Sequence, residues 1–323
     1  MDQPLTDEQI AFFKANGYLI LRGAMDPALC DRTEEKMWNE LPGHVPMVRD
    51  DPATHVGPFD ESSQSDDPLH VREGYRWQIR TLGPDPDVIE TLFCPPVVDA
   101  AESLLGEGRL VKPIPGGSAM GSSGPAWPGG PVDPSVGVDG VRGIYCTLPY
   151  GDVPRKPDQA HTDGTPIMIG AVGLIDDVLP DGGAFKVWPG SHRRLYPLFW
   201  MQYDQARIPY YPQMPSFKGL LNPPEYHEEL ARIMDDTEPV DCWGAKGDVV
   251  LWHYRLAHMA SHNYSPQMRK AILGDFVTTD LDQLRADPPQ QNMWRDWSDR
   301  VNAVDQGYSA EFAASQGMIS TSG

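Results

Sequence analysis

The spacing of apolar and polar positions changes character near residue 108. Before that point the chain reads mainly as helices joined by polar stretches. Thr6 with Gln9 has the form of a capping box, and Gly17 supplies the stop for the helix between them. "YLILRG" follows as a short strand. Asp26 and Pro27 then open a second helix, with Asp as its cap and Pro in its first turn. Residues 43–75 are polar and read as irregular, and "DVIETLF" and "PPVVDAAESLLG" read as two more short helices.

After residue 108 the apolar segments are short and separated by Gly and Pro: "GRLVKPI", "RGIYCTLP", "PIMIGAVGLID", "GAFKVWPG", "EPVDCWG", "GDVVLWHY" and "RKAILGDFV". Short strands with turn signals between them predict a β-sandwich or barrel. Two stretches interrupt the pattern. Residues 116–137 form a Gly/Pro/Ser loop. Residues 195–238 form a Pro- and aromatic-rich insertion with a helix expected around 224–234. That insertion, with Phe199, Trp200, Tyr203, Tyr210 and Tyr211, suits either a lid over an organic substrate or a cover for a sheet edge. No repeat or interdomain linker stands out. The expectation is one domain over 1–323: a mostly helical layer at 1–107, a β core at 108–280, and a C-terminal extension at 281–323.

Composition narrows the function. With 40% apolar and 22% charged residues over 323 positions, the chain has enough material for a large buried core. A formal net charge of −20 disfavours nucleic acid and anionic membranes as partners. Cys30, Cys94, Cys146 and Cys242 are too far apart for a zinc-thiolate motif, and so few cysteines suit a reducing compartment. The acidic start "MDQPLTDEQI" lacks the form of a signal peptide, and no apolar run has the length of a membrane span. A cytoplasmic location is expected.

Chemistry concentrates in two places. In "DQAHTDG", His161 and Asp163 are two apart, so on an extended strand both point to one face. Alone this is a weak signal, because His-x-Asp is short. A second histidine would complete two His and one carboxylate, a set that leaves metal positions open and suits non-haem Fe(II). "GDVVLWHYRLAHMASHNYSPQMR" offers His253, His258 and His262. His253 and His258 differ by an odd number, so on one regular strand they would face opposite sides. His262 lies in a turn-like stretch. His-Glu-x-x-His, Walker and dinucleotide-binding patterns do not occur.

Taken in order, these pieces resemble the phytanoyl-CoA dioxygenase family of Fe(II)/2-oxoglutarate oxygenases. The pieces are the opening "LTDEQIAFFKANGYLILRGAMDPALC", His161-Thr162-Asp163, "GGAFKVWPGSHRR" and "GDVVLWHYRLAHMASHNYSPQMR". The resemblance implies a mainly β fold with helices: a double-stranded β-helix (jelly-roll, cupin-like) core with an N-terminal helical layer. It also implies Fe(II), 2-oxoglutarate and O2 as cofactor and cosubstrates. It selects His258 to join His161 and Asp163 as metal ligands. It selects Arg269 to clamp the distal carboxylate of 2-oxoglutarate, for which a buried guanidinium is suited. Tyr145 and Thr147, two apart on the preceding strand, could reach 2-oxoglutarate from one face. Pro189 to His192 reads as a turn ending a strand. Two departures touch the cosubstrate pocket: Ala260 stands where the family often has Ser, and Val172-Gly173 where it often has Trp. The expected reaction is oxidation, by default hydroxylation, of a C–H bond in a small organic metabolite. The alternative is a non-oxygenase metal-binding jelly roll, either a cupin-like isomerase or hydrolase or a sensor.

Overall fold

Thr6 starts the first helix, α1 (Asp7–Asn16), with a complete capping box. Its Oγ1 accepts from the Gln9 N–H, and the Gln9 side chain accepts from the Thr6 N–H. Gly17 ends the helix in the left-handed region (φ 80°), where any side chain would run into the His192 imidazole. The chain continues through β1 (Tyr18–Leu21), α2 (Pro27–Asn39), β2 (His70–Glu73), β3 (Arg76–Ile79), α3 (Pro86–Leu92), α4 (Pro95–Leu105), β4 (Val141–Thr147), β5 (Ile169–Leu174), β6 (Phe185–Val187) and α5 (Ser191–Leu195). It ends with α6 (Pro224–Asp236), β7 (Val240–Cys242), β8 (Val249–His253), β9 (His258–Ala260), β10 (Arg269–Phe276), α7 (Leu281–Leu284), α8 (Asp299–Ala303) and α9 (Ala310–Ser315). The structure, a computed structural model, describes residues 4–119, 140–163, 167–198, 224–284 and 287–318. Most of the 116–137 loop and the aromatic residues expected of a lid at 199–211 lie outside the described residues.

The strands make two antiparallel sheets. The larger has the order β1-β8-β5-β10-β4-β3-β2, and the smaller has the order β7-β6-β9. Period-two alternation gives the larger sheet two distinct faces. Its outer face carries His253, Ile169, Phe276, Cys146 and Trp77, and helices cover it. Met37 of α2 meets Cys146, and Phe93 packs on Phe276 with ring centroids 4.6 Å apart. Its inner face carries Trp252, Val172 and the row Arg269, Thr147, Tyr145 and Gln78, and it looks toward the smaller sheet. There Phe185 and His258 meet the Trp252 ring, with centroids 4.6 and 5.4 Å away. Two antiparallel sheets facing across a shared interior form the expected jelly-roll layout, and the described strands do not close into a barrel. The three-residue strands of the smaller sheet make few hydrogen bonds, each contributing about 0.5–1.5 kcal/mol net. Buried side chains such as Phe185, Val187 and Trp252 contribute about 1.5–3 kcal/mol each, so packing holds this sheet in place.

Three features depart from the sequence pattern. "GRLVKPI" forms no strand and makes one bridge, Leu110 to Thr278. Pro113 and Pro115 lack the N–H donors a ladder needs. The end of the stretch read as irregular, with the residues after it, forms the β2–β3 hairpin, which pairs with β4 and extends the larger sheet. Its alternation is real, with Trp77 and Ile79 buried between polar neighbours, but charged residues conceal it. Finally, the run containing His253 and His258 is not one strand. It breaks after His253, and His258 opens a strand of the other sheet.

The turn at Pro189 to His192 forms as expected, with Gly190 in the left-handed region (φ 79°). Its Ser191 Oγ accepts from the Ala257 N–H at 2.9 Å, which anchors the chain just ahead of His258. At the far edge of the larger sheet, the Gln316 side chain lies along β1. Its Oε1 accepts from the Ile20 N–H at 2.6 Å and its Nε2 donates to the Ile20 carbonyl at 3.4 Å. Among the described residues, no helix is long and apolar enough to cross a membrane.

Candidate metal centre

His161 and His258 face each other across an isolated antiparallel bridge, each backbone N–H donating to the other's carbonyl (3.0 and 2.9 Å). Directly opposed residues project to the same side, and the two imidazole centroids lie 4.6 Å apart. Asp163 lies two residues beyond His161 and reaches the same point. Its Oδ1 is 3.4 Å from His258 Nε2 and 3.7 Å from His161 Nε2. One donor atom from each of the three lies within 4.8 Å of the others, close enough to hold a metal ion. The His258 Nδ1 sits 2.9 Å from the Leu256 carbonyl, and a proton there leaves Nε2 as the free lone pair. Phe185 and Trp252 pack against the same ring.

Protonation suits a cation. Burial and the adjacent His258 ring push His161 down to about 4, so its imidazole is neutral at pH 7. Burial opposes ionisation of Asp163. The Arg142 guanidinium, aided by the His258 ring, outweighs it and holds the carboxyl well below the usual range. A neutral imidazole and an ionised carboxylate are the forms that bind metal. Two imidazoles and one carboxylate are the donor set of open ferrous sites, so the residues present fit that ion.

Arg142 is a site residue that strict alternation hides. Its Nη2 donates to Asp163 Oδ2 at 2.8 Å and to Asp275 Oδ1 at 2.6 Å, and its Nε donates to Asp275 Oδ2 at 2.7 Å. Alternation from Ile144 would place Arg142 on the outer face. The β4–β10 register shifts, however: Leu273 faces Gly143 while Gly274 faces Val141, so Arg142 is the extra residue of a bulge. Gly143 takes φ 123° there, and a Cβ on it would lie 2.3 Å from the Ile79 carbonyl oxygen. A glycine inside an apolar strand pattern was the available signal. Burial raises the Asp275 carboxyl to about 6 against the opposing pull of Arg142, so both carboxylates are ionised at pH 7.

Arg269 opens β10 opposite Thr147 and is 5% exposed. Its Nη2 donates to Thr147 Oγ1 at 3.1 Å, while its Nε has no partner and no carboxylate pairs with it among the described residues. Burial lowers it to about 10. A buried cation without a counter-charge costs several kcal/mol, so the geometry fits an absent anion such as the carboxylate of 2-oxoglutarate. Lys270 points to the outer face, as alternation requires, and pairs there with Glu34 and Asp176. The structure thus brings Thr147 to Arg269. Tyr145 lies on the same face, but its hydroxyl accepts from Arg80 Nε at 3.0 Å, and Arg80 in turn reaches Gln78.

The other histidines stand apart. His253 is on the outer face, fully buried, with its ring stacked on Trp297 (centroids 5.1 Å, 8°), and burial holds it well below its ordinary value. His262 packs edge-on against Tyr150. Of the residues at variant positions, Ala260 is exposed, and Ser261 next to it donates to Asp241. Val172 faces inward opposite Leu273, whereas a side chain on Gly173 would meet Met25 and Leu92 under the helices.

The sequence model for phytanoyl-CoA dioxygenase matches residues 13–271. No curated protein matches the chain. Among solved structures, EctD from S. alaskensis with bound Fe is similar at 18% identity and a TM-score of 0.48, covering 86% of this chain and 78% of that one. The non-heme alpha ketoglutarate dependent carbocyclase SnoK from nogalamycin biosynthesis is similar at 16% identity and a TM-score of 0.45, over 91% of this chain and 98% of that one. The epimerase SnoN from the same biosynthesis is similar at 15% identity and a TM-score of 0.43, over 83% and 81%.

Proposed function

The chain belongs to the phytanoyl-CoA dioxygenase family of Fe(II)/2-oxoglutarate-dependent oxygenases, and on that footing we propose that His161, Asp163 and His258 hold its one iron and that it hydroxylates a C–H bond of a small organic metabolite. One observation carries this reading. Three donors converge on the interior that also contains Arg269, a buried guanidinium with no carboxylate partner among the described residues. The iron, with 2-oxoglutarate, supplies the activation of dioxygen, coupled to oxidative decarboxylation of 2-oxoglutarate to succinate and CO2.

The chain's own residues supply binding, orientation and dryness. His161 and His258 offer ring nitrogens, and Asp163 offers one negative charge. Arg269, steered by Thr147, takes the distal carboxylate of 2-oxoglutarate in charge-assisted hydrogen bonds. Phe185 and Trp252 keep water from the His258 side. Tyr145 stands on the inner face with Arg80 and Gln78, beyond Thr147, where it meets the cosubstrate or the substrate. With Asp163 as a ligand, its position is closed to halide, so the product carries oxygen or loses hydrogen and is not chlorinated. The net charge of −20 disfavours a polyanionic acyl-CoA, and a less charged metabolite is the better partner. The same acidic surface and four buried free cysteines suit a reducing cytoplasm.

The test is succinate formation from 2-oxoglutarate by protein loaded anaerobically with Fe(II), with and without air. Turnover that requires both iron and oxygen is expected even without substrate, at a slow uncoupled rate. Iron bound tightly with no oxygen-dependent loss of 2-oxoglutarate would favour the isomerase, hydrolase or sensor reading instead.

A further inference from the structure

We propose that Arg142, neutralised by Asp275, is a positioning residue that sorts the two oxygens of Asp163, reserving one for the metal and withholding the other. The inference rests on the metal centre described above and concerns how its carboxylate is held.

The geometry separates the oxygens cleanly. Asp163 Oδ1 faces the two histidine nitrogens, and Oδ2 accepts from Arg142 Nη2 at 2.8 Å. A carboxylate free on both oxygens can chelate a metal through two atoms. One tied to a guanidinium through Oδ2 offers a single oxygen, which keeps an additional metal position open. That position matters here because 2-oxoglutarate and dioxygen together need more than one.

Asp275 answers the objection that a guanidinium in contact with a metal ligand would repel the metal. It binds Arg142 through both oxygens, at 2.6 and 2.7 Å, and is fully buried at 1% exposure. The pair is electrically neutral and grips Asp163 as a donor without adding positive charge. A pair serving the fold alone would need only the Arg142–Asp275 contacts. The third contact is explained by a task at Asp163, and the bulge turns Arg142 from the face its position in the strand assigns to the side that carries both Asp163 and Asp275.

The experiment is an anaerobic Fe(II) titration at pH 7.5. A 2-oxoglutarate titration of the iron-loaded protein follows, read by the visible charge-transfer band of the iron–2-oxoglutarate chelate. Three proteins are compared: wild type, the paired Arg142→Met/Asp275→Leu variant, and Asp275→Asn. The paired variant removes both charges and orphans neither, so the fold is expected to survive. Its Fe(II) affinity should fall about 10–100-fold, and its chelate band should need more 2-oxoglutarate because Asp163 now competes for a position. Asp275→Asn keeps the grip of Arg142 on Asp163 but uncovers its charge. Iron affinity should fall there too, while the 2-oxoglutarate dependence of the loaded protein should not weaken. Wild-type values for both titrations in the paired variant would overturn the proposal. If that variant does not fold, Asp275→Asn decides, and unchanged iron affinity overturns it. A wild-type protein that binds no Fe(II) would instead remove the metal-centre reading on which the inference stands.

Discussion

His253 and His258 are five residues apart in one apolar run, and both are buried, at 0% and 3% exposure. Their surroundings differ completely: one ring is stacked on Trp297, and the other sits among Asp163, His161 and Phe185. His258→Ala should therefore lose iron, while His253→Ala should keep it and lose stability instead, through the cavity left beside Trp297. Iron per chain after anaerobic gel filtration distinguishes them, and retention of iron by His258→Ala alone would reverse the assignment. Arg269 leads to a less ordinary expectation. Among the described residues it is buried without a counter-charge, so Arg269→Met should leave the ligand-free protein as stable as wild type or more so. 2-Oxoglutarate should then no longer raise its Tm, and affinity should fall by about two to three decades, the cost of breaking a buried charge pair at roughly 3–5 kcal/mol. An Arg269→Met protein still stabilised by 2-oxoglutarate would contradict this. At this scale the cluster that could hold a metal was legible, His161 and Asp163 from spacing and His258 from resemblance, and Arg269 was singled out by resemblance too. The odd spacing of His253 and His258 pointed to opposite sides, but the reason is a change of sheet, which no parity rule contains.

At the scale of elements, the site depends on an irregular strand. β4 carries Thr147 and Tyr145 inward by plain alternation, and it carries Arg142 inward only because the bulge inserts a residue. Gly143 makes that possible. Gly143→Ala would force a positive φ, a strain of about 1–2 kcal/mol, and would also drive its Cβ into the Ile79 carbonyl of β3. Gly74, in the β2–β3 turn, also has a positive φ (58°) but has nothing within 4 Å of a Cβ. Gly74→Ala should thus cost only the backbone strain, whereas Gly143→Ala should cost clearly more and weaken iron binding. Paired melting curves and Fe(II) titrations measure both, and equal effects of the two substitutions would show that the bulge is not tightly specified. Regular elements were readable because local rules governed them, as with the Thr6–Gln9 capping box, the Asp26 cap of α2 and α6. The hairpin at 70–79 was not, because exposed Arg76 and Glu73 dilute the apolar signal of Trp77 and Ile79. "GRLVKPI" failed in the other direction, apolar enough for a strand but without the donors.

Across the whole molecule, the chain carries a net charge of −20, while around the candidate centre Arg142 and Arg269 stand with Asp163 and Asp275. The N-terminal and C-terminal parts meet on the sheet that carries this face. β1 is its edge strand, and Gln316, 296 residues further on, occupies the Ile20 N–H and C=O with its own amide. A side-chain amide here does what a neighbouring strand would do, and ends the ladder at the same time. A bare β1 would be a template for another molecule's strand. Gln316→Ala should therefore cost about 1–3 kcal/mol for the buried donor left without its acceptor. It should also make the protein associate with copies of itself in a concentration-dependent way. Sedimentation velocity over a range of concentrations tests this, and a variant that sediments as wild type does at every concentration would refute it. One glutamine thus occupies, at the β1 edge, the hydrogen-bonding groups through which the seven-stranded sheet could take up a strand of another molecule.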